Sequence, residues 1–285
     1  MRPQHILMAV SVAVIWGMGF VVAKSAMSHF SPILLMALRF LLTALIMLWL
    51  FRPPIALLRQ LFWIALVSAA IQYSLTFNGL NGIEASTAAL LVQLEVPFGL
   101  IMAWLMLGDR LTVRQFVGIF VSFTGAIFIL GEPRLEGNLI YAFLVVAGAF
   151  TWAVGQVMIK RLDEVNGFML ITGIALFAAP QLFVASLLFE ADQVEQIRHA
   201  GWEHWFGVVY LGIVMTAIGY AIWYYLIGVY SVNKVMPFLL LLPVTSVAGG
   251  IFFLGEELTT RILVGGILAV TGVAIITVQR NRFAS

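Results

Sequence analysis

The chain has 285 residues, of which 62% are hydrophobic and only 10% are charged, and its formal net charge is +2 at pH 7. Soluble domains carry about 25% charged residues, so a soluble core could not hide this much apolar surface, and the composition predicts a protein of the lipid bilayer. The small net charge and scattered basic residues argue against a nucleic-acid partner, and the lack of cysteine excludes disulfides and thiolate metal sites.

Ten hydrophobic stretches are each long enough to cross a bilayer as a helix, which needs roughly 20 apolar residues. The connections are short and contain helix-ending residues, as at Gly108-Asp109 and Gly131-Glu132-Pro133. The first stretch lacks a small-residue cleavage site, so we expect a retained helix and not a signal peptide. The expected fold is an all-α polytopic membrane protein with ten transmembrane helices, at about residues 6–24, 32–51, 61–80, 84–107, 114–131, 139–160, 168–189, 205–228, 233–254 and 261–279.

The second half of the chain repeats the first. Residues 111–125 read LTVRQFVGIFVSFTG, and residues 258–272 read LTTRILVGGILAVTG. Each half contains five spans, and an odd number inverts the second half in the membrane, which is the architecture of secondary transporters. We expect one five-helix repeat at residues 1–136 and a second, inverted one at 137–285. Identical residues stand 147 apart in the pairs Leu111/Leu258, Thr112/Thr259, Arg114/Arg261, Val117/Val264, Gly118/Gly265, Thr124/Thr271 and Gly125/Gly272, and 136 apart in Trp16/Trp152, Gly19/Gly155, Val21/Val157 and Lys24/Lys160.

Glycines recur in the fifth and tenth spans. Small residues let two helices approach closely, so a packing role is predicted for them, and a dimer face is the alternative. The glycines concerned are Gly118, Gly125, Gly265, Gly266 and Gly272.

Basic residues give the orientation, because Lys and Arg accumulate on the cytoplasmic side of membrane helices. With the N-terminus in the cytoplasm, ten of them fall on that side and four on the other, so we expect both termini to be cytoplasmic. The matched residues Lys24 and Lys160 then end their helices on opposite sides, as inversion requires. The cytoplasmic ten are Arg2, Arg52, Arg59, Arg110, Arg114, Lys160, Arg161, Lys234, Arg280 and Arg282, and the other four are Lys24, Arg134, Arg198 and Arg261.

Polar and aromatic side chains inside the spans point to a substrate path, because lipid cannot satisfy a polar group. Several stand four residues apart and so share a helix face. Pro97 and Pro243 lie near the middle of matching spans, and interrupted helices in corresponding positions mark transporter binding sites. The alternatives are interface anchoring for the aromatic residues and simple kinks for the prolines. We predict a substrate cavity lined by Trp16, Tyr73, Phe77, Gln93, Pro97, Trp152, Gln156, Leu239, Pro243 and Ser246.

Two charged residues, Arg39 and Glu95, lie well inside the spans. On a regular helix Glu95 points about 200° away from both Gln93 and Pro97, so we do not expect it on the cavity-lining face. A structural ion pair between Arg39 and Glu95 is predicted, since pairing offsets the cost of burying each charge. A proton-coupling role for Glu95 is the alternative.

Four short motifs resemble the EamA branch of the drug/metabolite transporter superfamily. They are Trp16-Gly17, Leu38-Arg39-Phe40, Gly108-Asp109-Arg110-Leu111-Thr112 and Gly255-Glu256-Glu257-Leu258-Thr259. The resemblance covers essentially the whole chain and implies a ten-helix carrier made of two inverted repeats. Bacterial members of this family include exporters of amino acids and other small metabolites. The resemblance therefore implies a transporter of the bacterial inner membrane.

The expected function follows from the spans, the absent motifs and this resemblance together. The sequence has no Walker loop, no metal-spaced cluster and no Gly-x-Ser-x-Gly elbow, so we expect no enzyme activity, cofactor or metal. Expected partners are a small-molecule substrate and the lipid bilayer, without an obligate protein partner. We expect uncoupled export of neutral or aromatic amino acids and related metabolites by alternating access. The alternative is a multidrug or organic-cation exporter driven by proton antiport through Glu95, which a cavity-facing Glu95 would favour.

Overall fold

The computed structural model describes residues 1–162, 166–230 and 232–277 of the chain. The orientation prediction also used residues that lie outside this described part, namely Arg280 and Arg282.

The ten predicted spans are all present as helices long and apolar enough to cross a membrane. Successive helices alternate in direction, so odd-numbered helices begin on the side where α1 begins, here called the N side, and end on the opposite, far side. A short helix, Gln193–His199, lies in the longest connection. The helices are α1 (Pro3–Ala26), α2 (Pro32–Leu50), α3 (Ile55–Gly82), α4 (Ala85–Leu107), α5 (Val113–Leu130), α6 (Leu139–Lys160), α7 (Gly167–Phe189), α8 (Trp202–Val229), α9 (Met236–Leu254) and α10 (Thr260–Thr277).

The repeated Gly-acidic-x-Leu-Thr motif ends one helix and begins the next. Gly108 and Gly255 follow α4 and α9 with positive φ angles of 75° and 67°, which glycine adopts without strain. Thr112 and Thr259 then precede α5 and α10, and each hydroxyl accepts a backbone N–H from the first turn. The motif therefore fixes the same helix–turn–helix corner in both halves.

Helix packing is symmetric under exchange of the two halves. The most extensive contacts join α5 to α10 and α2 to α7, and α4 also packs against α9. The pair α1–α9 has its counterpart in α6–α4, and the pair α3–α6 has its counterpart in α8–α1. Each of these contacts thus recurs when every helix is replaced by its counterpart in the other half, as expected for a carrier built of two repeats.

The glycines of α5 and α10 show directly that the halves are inverted. A Cβ on Gly118 would lie 2.8 Å from the carbonyl oxygen of Gly272, and a Cβ on Gly265 would lie 2.8 Å from that of Gly125. Replacing each glycine by its repeat counterpart converts one of these contacts into the other, and the two helices are antiparallel. A two-fold axis therefore crosses this helix pair perpendicular to both helices. The predicted packing role of these glycines is confirmed.

The predicted boundary between the repeats falls in the connection between α5 and α6. This connection, residues 131–138, contains one short turn of 3₁₀ helix at Pro133–Leu135. The exact division between residues 136 and 137 stays a prediction, because the helix contacts would be the same wherever in this connection the repeats were divided.

Four helices are irregular, at matching levels of the two halves. In α3 and α8 there are π-helical stretches at Leu66–Ile71 and Tyr210–Ile218. A turn at 93–94 interrupts α4, and α9 begins with the 3₁₀ segment Met236–Leu240. Irregular helical turns concentrate at functional sites, and in transporters they mark the binding site between repeats.

Candidate functional site

A cavity of about 220 Å³ lies in the centre of the molecule, at the level of these irregular turns. Its wall takes side chains from α1, α2, α3, α4, α6, α8, α9 and α10. Six of the ten residues predicted from the sequence lie on this wall, and their role in binding substrate stays a prediction. The six are Trp16, Tyr73, Phe77, Gln93, Trp152 and Leu239.

The other four predicted residues do not lie on the cavity wall. Pro97 is buried in α4, and Gln156 lies one turn beyond Trp152. Pro243 lines a separate apolar groove of about 470 Å³ between α9 and α10, and Ser246 is fully buried. The α9 residues were chosen with regular α-helical spacing, and the 3₁₀ start of α9 breaks that spacing.

Aromatic rings form much of the wall. The Trp16 and Tyr220 ring centroids lie 5.0 Å apart, and Tyr73 stacks on Phe77 at 5.6 Å. The Trp16 indole Nε1 donates to the Met215 carbonyl oxygen at 3.0 Å, within the π-helical stretch of α8. Sequence reasoning missed Tyr220, which lies on the cavity wall.

The predicted ion pair between Arg39 and Glu95 does not form in the described part of the chain. The Arg39 guanidinium instead donates to the Thr216 hydroxyl at 3.1 and 3.2 Å and to the Tyr73 hydroxyl at 3.4 Å. It also lies over the Tyr73 ring, 4.7 Å from the centroid. The π-helical turn of α8 brings Thr216 to this position, which spacing along α2 could not reveal.

Glu95 lies on the cavity wall beside Gln93, contrary to the sequence prediction. The predicted 200° separation assumes an unbroken helix, whereas α4 is interrupted at 93–94. The Gln93 carbonyl accepts the Val96 N–H at 3.2 Å, a tighter turn than in an α-helix, and Pro97 has no N–H to offer it. Both intramembrane charges, Arg39 and Glu95, therefore line one cavity.

The far side of the cavity is closed. The wall ends there at Phe20 and Phe77, whose ring centroids lie 6.3 Å apart. Beyond these rings the Lys24 ammonium donates to the carbonyl oxygens of Leu80, Asn81 and Ile83 at 2.8, 2.8 and 3.0 Å. Lys24 thereby ties the end of α1 to the end of α3.

A carboxylate completes this far-side closure. The Glu256 carboxylate accepts the Ala85 and Ser86 backbone N–H groups at 2.5 and 3.0 Å, where the start of α4 favours negative charge. Burial, and then the neighbouring Glu256 charge, raise the pKa of Glu84 above its usual range. The far side is thus held by hydrogen bonds from α1 and from the α9–α10 corner to the connection between α3 and α4.

The N side is more open. The cavity wall reaches Met236 at the start of α9 and Thr277 at the end of α10, both on the N side. Lys160, the repeat counterpart of Lys24, pairs with Asp109 at 2.8 Å, and both side chains are at least half exposed. Among the described residues, the contacts that close the cavity therefore lie on the far side, and its wall extends to helix ends on the N side.

Cysteine labelling tests this assignment of residues to the wall. Gln93→Cys should react with a water-soluble thiol reagent added from the N side, and substrate should slow the reaction. Ser246→Cys should stay unlabelled, because Ser246 is fully buried against α1 at Gly17. The native chain has no cysteine, so the two variants are matched. Labelling at Ser246 with none at Gln93 would mean that the wall is wrongly assigned.

Comparisons with known proteins agree with this architecture. The model of the EamA-like transporter family matches residues 4–131 and again 139–278. A "Probable amino-acid metabolite efflux pump" of Escherichia coli is 30% identical, over 94% of this chain and 93% of that protein. Its namesake in Salmonella typhimurium is 31% identical over the same shares of the two chains.

Two further similarities are more distant. A "Probable terminal-alkyne amino-acid exporter" of Streptantibioticus cattleyicolor is 29% identical over 71% of this chain and 68% of that protein. A crystal structure superposes with a TM-score of 0.67, covering 100% of this chain and 99% of that chain at 20% identity. At that identity the superposition supports the fold alone.

Proposed function

The chain belongs to the EamA-like transporter family, and from this premise we propose that it exports neutral amino acids, including aromatic ones, and related small metabolites through the central cavity. The relatives named as amino-acid efflux pumps and exporters support the substrate class. The bacterial inner membrane is the proposed location, with the N side in the cytoplasm because of the Lys and Arg bias. The proposal includes no catalytic step and no cofactor.

The observation that carries the proposal is the character of the cavity wall. Aromatic rings and two amides surround a space of about 220 Å³, below the ~300–1,000 Å³ of pockets for drug-sized ligands. At about 30 Å³ per water this space holds roughly seven waters. A single small solute with an apolar side chain suits it better than a bulky drug does.

Alternating access is the proposed mechanism. Substrate would enter from the N side, and the far side would open when the contacts of Lys24 and Glu256 break. We propose that transport is not coupled to the movement of ions, so that the amino-acid gradient alone drives export.

A second candidate function is favoured by the position of Glu95. An organic cation could bind a carboxylate among aromatic rings, and proton exchange at that carboxylate could drive its export. The Arg39 guanidinium on the same wall opposes this reading, because it repels a cation that carries no carboxylate.

Counterflow in liposomes tests the two functions against each other. Liposomes with purified protein and unlabelled leucine or phenylalanine inside should take up the labelled amino acid, with or without a pH gradient. Protein-free liposomes are the control. Transport of an organic cation that needs the pH gradient, together with no amino-acid counterflow, would replace the first function by the second.

A further inference from the structure

Two ionisable side chains of opposite type, Arg39 and Glu95, share the cavity wall without pairing with each other among the described residues. The Arg39 side chain is only 1% exposed, and its hydrogen-bond partners are the neutral hydroxyls of Thr216 and Tyr73. Within the described residues, the Glu95 carboxylate makes no hydrogen bond or ion pair. Burying a charge without a counter-ion is costly, so this arrangement is better suited to binding than to stability alone.

The guanidinium has hydrogen-bonding capacity left for a ligand. Arginine carries five N–H groups, and those on Nε and Nη2 reach Thr216 and Tyr73. Its Nη1 reaches only the Met36 sulfur, at 3.8 Å. The N–H groups of Nη1 can therefore donate to a carboxylate, the group that a guanidinium binds best, while Nε and Nη2 remain on Thr216 and Tyr73.

Two amide groups on the same wall also keep an unused atom. Gln93 Nε2 is a buried donor with no partner among the described residues, and Gln72 Oε1 is a buried acceptor in the same condition. The Gln72 Nε2 donates to the Thr76 hydroxyl at 3.0 Å, which fixes the orientation of that amide. The wall thus offers an unused donor that suits a carboxylate and an unused acceptor that suits an ammonium group.

We propose that Arg39 binds the carboxylate and Glu95 the ammonium group of one zwitterionic α-amino acid, with its side chain against the aromatic wall. This inference rests on the proposed function and adds which residues recognise the substrate. Only a solute with both charges neutralises both residues. An amine without a carboxylate leaves Arg39 facing a like charge, and an acid without an amine leaves Glu95 facing one.

Ligand series on the wild-type protein give the first test, since they need no substitution. Leucine and phenylalanine are each compared with the amine that lacks the carboxylate and with the acid that lacks the amine. Each analogue should inhibit counterflow at least about tenfold more weakly than its parent amino acid, because it strands one buried charge. Equal inhibition by all three members of a series would overturn the inference while amino-acid transport itself stood.

Two single substitutions give the second test, and their readout is the preference among ligands. In Arg39→Gln the amine should inhibit more strongly relative to the amino acid than it does in wild type. In Glu95→Gln the acid should do so, because each substitution removes the repulsion between that ligand and a like charge on the wall. A purely structural role would change yield and leave the order of ligands unchanged. Only variants with a wild-type size-exclusion profile are compared, and if neither folds, the wild-type series decides. Loss of cation transport in Glu95→Gln, with no amino-acid counterflow in wild type, would instead reject the proposed function.

Discussion

When Lys24 and Asn81 are both replaced by cysteine, a cross-link between the two cysteines should reduce transport to background and hold the cavity open to the N side. Cross-linking cysteines introduced at Lys160 and Gly228 should also reduce transport to background, with the cavity held open to the far side. The first pair is in contact in this structure, where Lys24 donates to the Asn81 carbonyl oxygen. The second pair is chosen from the inverted repeat and not from a contact in this structure.

The repeat supplies the second pair because, under the proposed alternating access, each half is expected to take the other's role in the alternate state. Lys160 corresponds to Lys24 at an offset of 136 residues, and Gly228 corresponds to Asn81 at an offset of 147. In the present state Lys160 pairs with Asp109, and no heavy atom of the described residues comes within 4 Å of a Cβ placed on Gly228. When the N side closes, we expect the Lys160 ammonium to leave Asp109 and donate to the carbonyl oxygens at the end of α8.

The carboxylates should exchange in the same way. Glu256 now accepts the first N–H groups of α4, and Asp109 stands 147 residues earlier at the corresponding corner. In the alternate state Asp109 is expected to accept N–H groups at the start of α9 while Glu256 releases α4. We therefore expect one such closure on each side of the membrane, with only one of the two engaged at a time.

The measurement uses a flexible, cleavable cross-linker that joins two thiols, followed by counterflow in liposomes. Cleavage should restore the transport that each double-cysteine variant shows before cross-linking, and treatment with the cross-linker should leave the transport of each single-cysteine variant unchanged. The pair Lys24→Cys with Gly228→Cys is the control, because its members lie on opposite sides of a bilayer core about 30 Å thick. Rapid cross-linking at Lys160 and Gly228 that leaves transport intact would contradict the exchange of closures.

Much of this architecture could be predicted from the sequence, because the signals are local. Ten apolar stretches, a duplicated motif and an odd number of spans per half are each read from neighbouring residues. The glycines of α5 and α10 were correctly predicted to pack helices closely, although the sequence did not show that these two helices contact each other. Hydropathy and duplication therefore determine the fold even without contact information.

The candidate site could be predicted only in part, because its geometry depends on breaks in the helices. A regular α4 would point Glu95 away from the cavity, as the sequence analysis predicted. The structure has a turn at 93–94, and with it Glu95 lies on the cavity wall. Ser246 was placed in the cavity by assuming a regular α9, and the 3₁₀ start of that helix moves it into a helix interface. Thr216 could not be linked to Arg39, since α2 and α8 are brought together only by the fold.

The interface between α5 and α10 should tolerate added volume poorly. A Cβ on Gly125 would lie 2.5 Å from the Gly265 carbonyl oxygen and 2.9 Å from the Cα of Ala269. These are backbone atoms, so neither can move aside as a flexible side chain would. We expect Gly125→Leu to force the two helices apart, lower the free energy of unfolding by at least about 1–3 kcal/mol, and reduce the folded yield.

The matched control is Gly99→Leu, which makes the same change inside a helix of the same half. Within the part of the chain that the structure describes, no heavy atom lies within 4 Å of a Cβ on Gly99, so the added side chain meets open space. Leucine favours the helix over glycine by roughly 0.5–1 kcal/mol, and Gly99→Leu should therefore be neutral or stabilising. The measurement is the unfolding temperature in detergent, with size-exclusion profiles of both variants. If Gly125→Leu unfolded at the wild-type temperature but changed the oligomeric state, these glycines would form a dimer face, and the contact between α5 and α10 would be wrong.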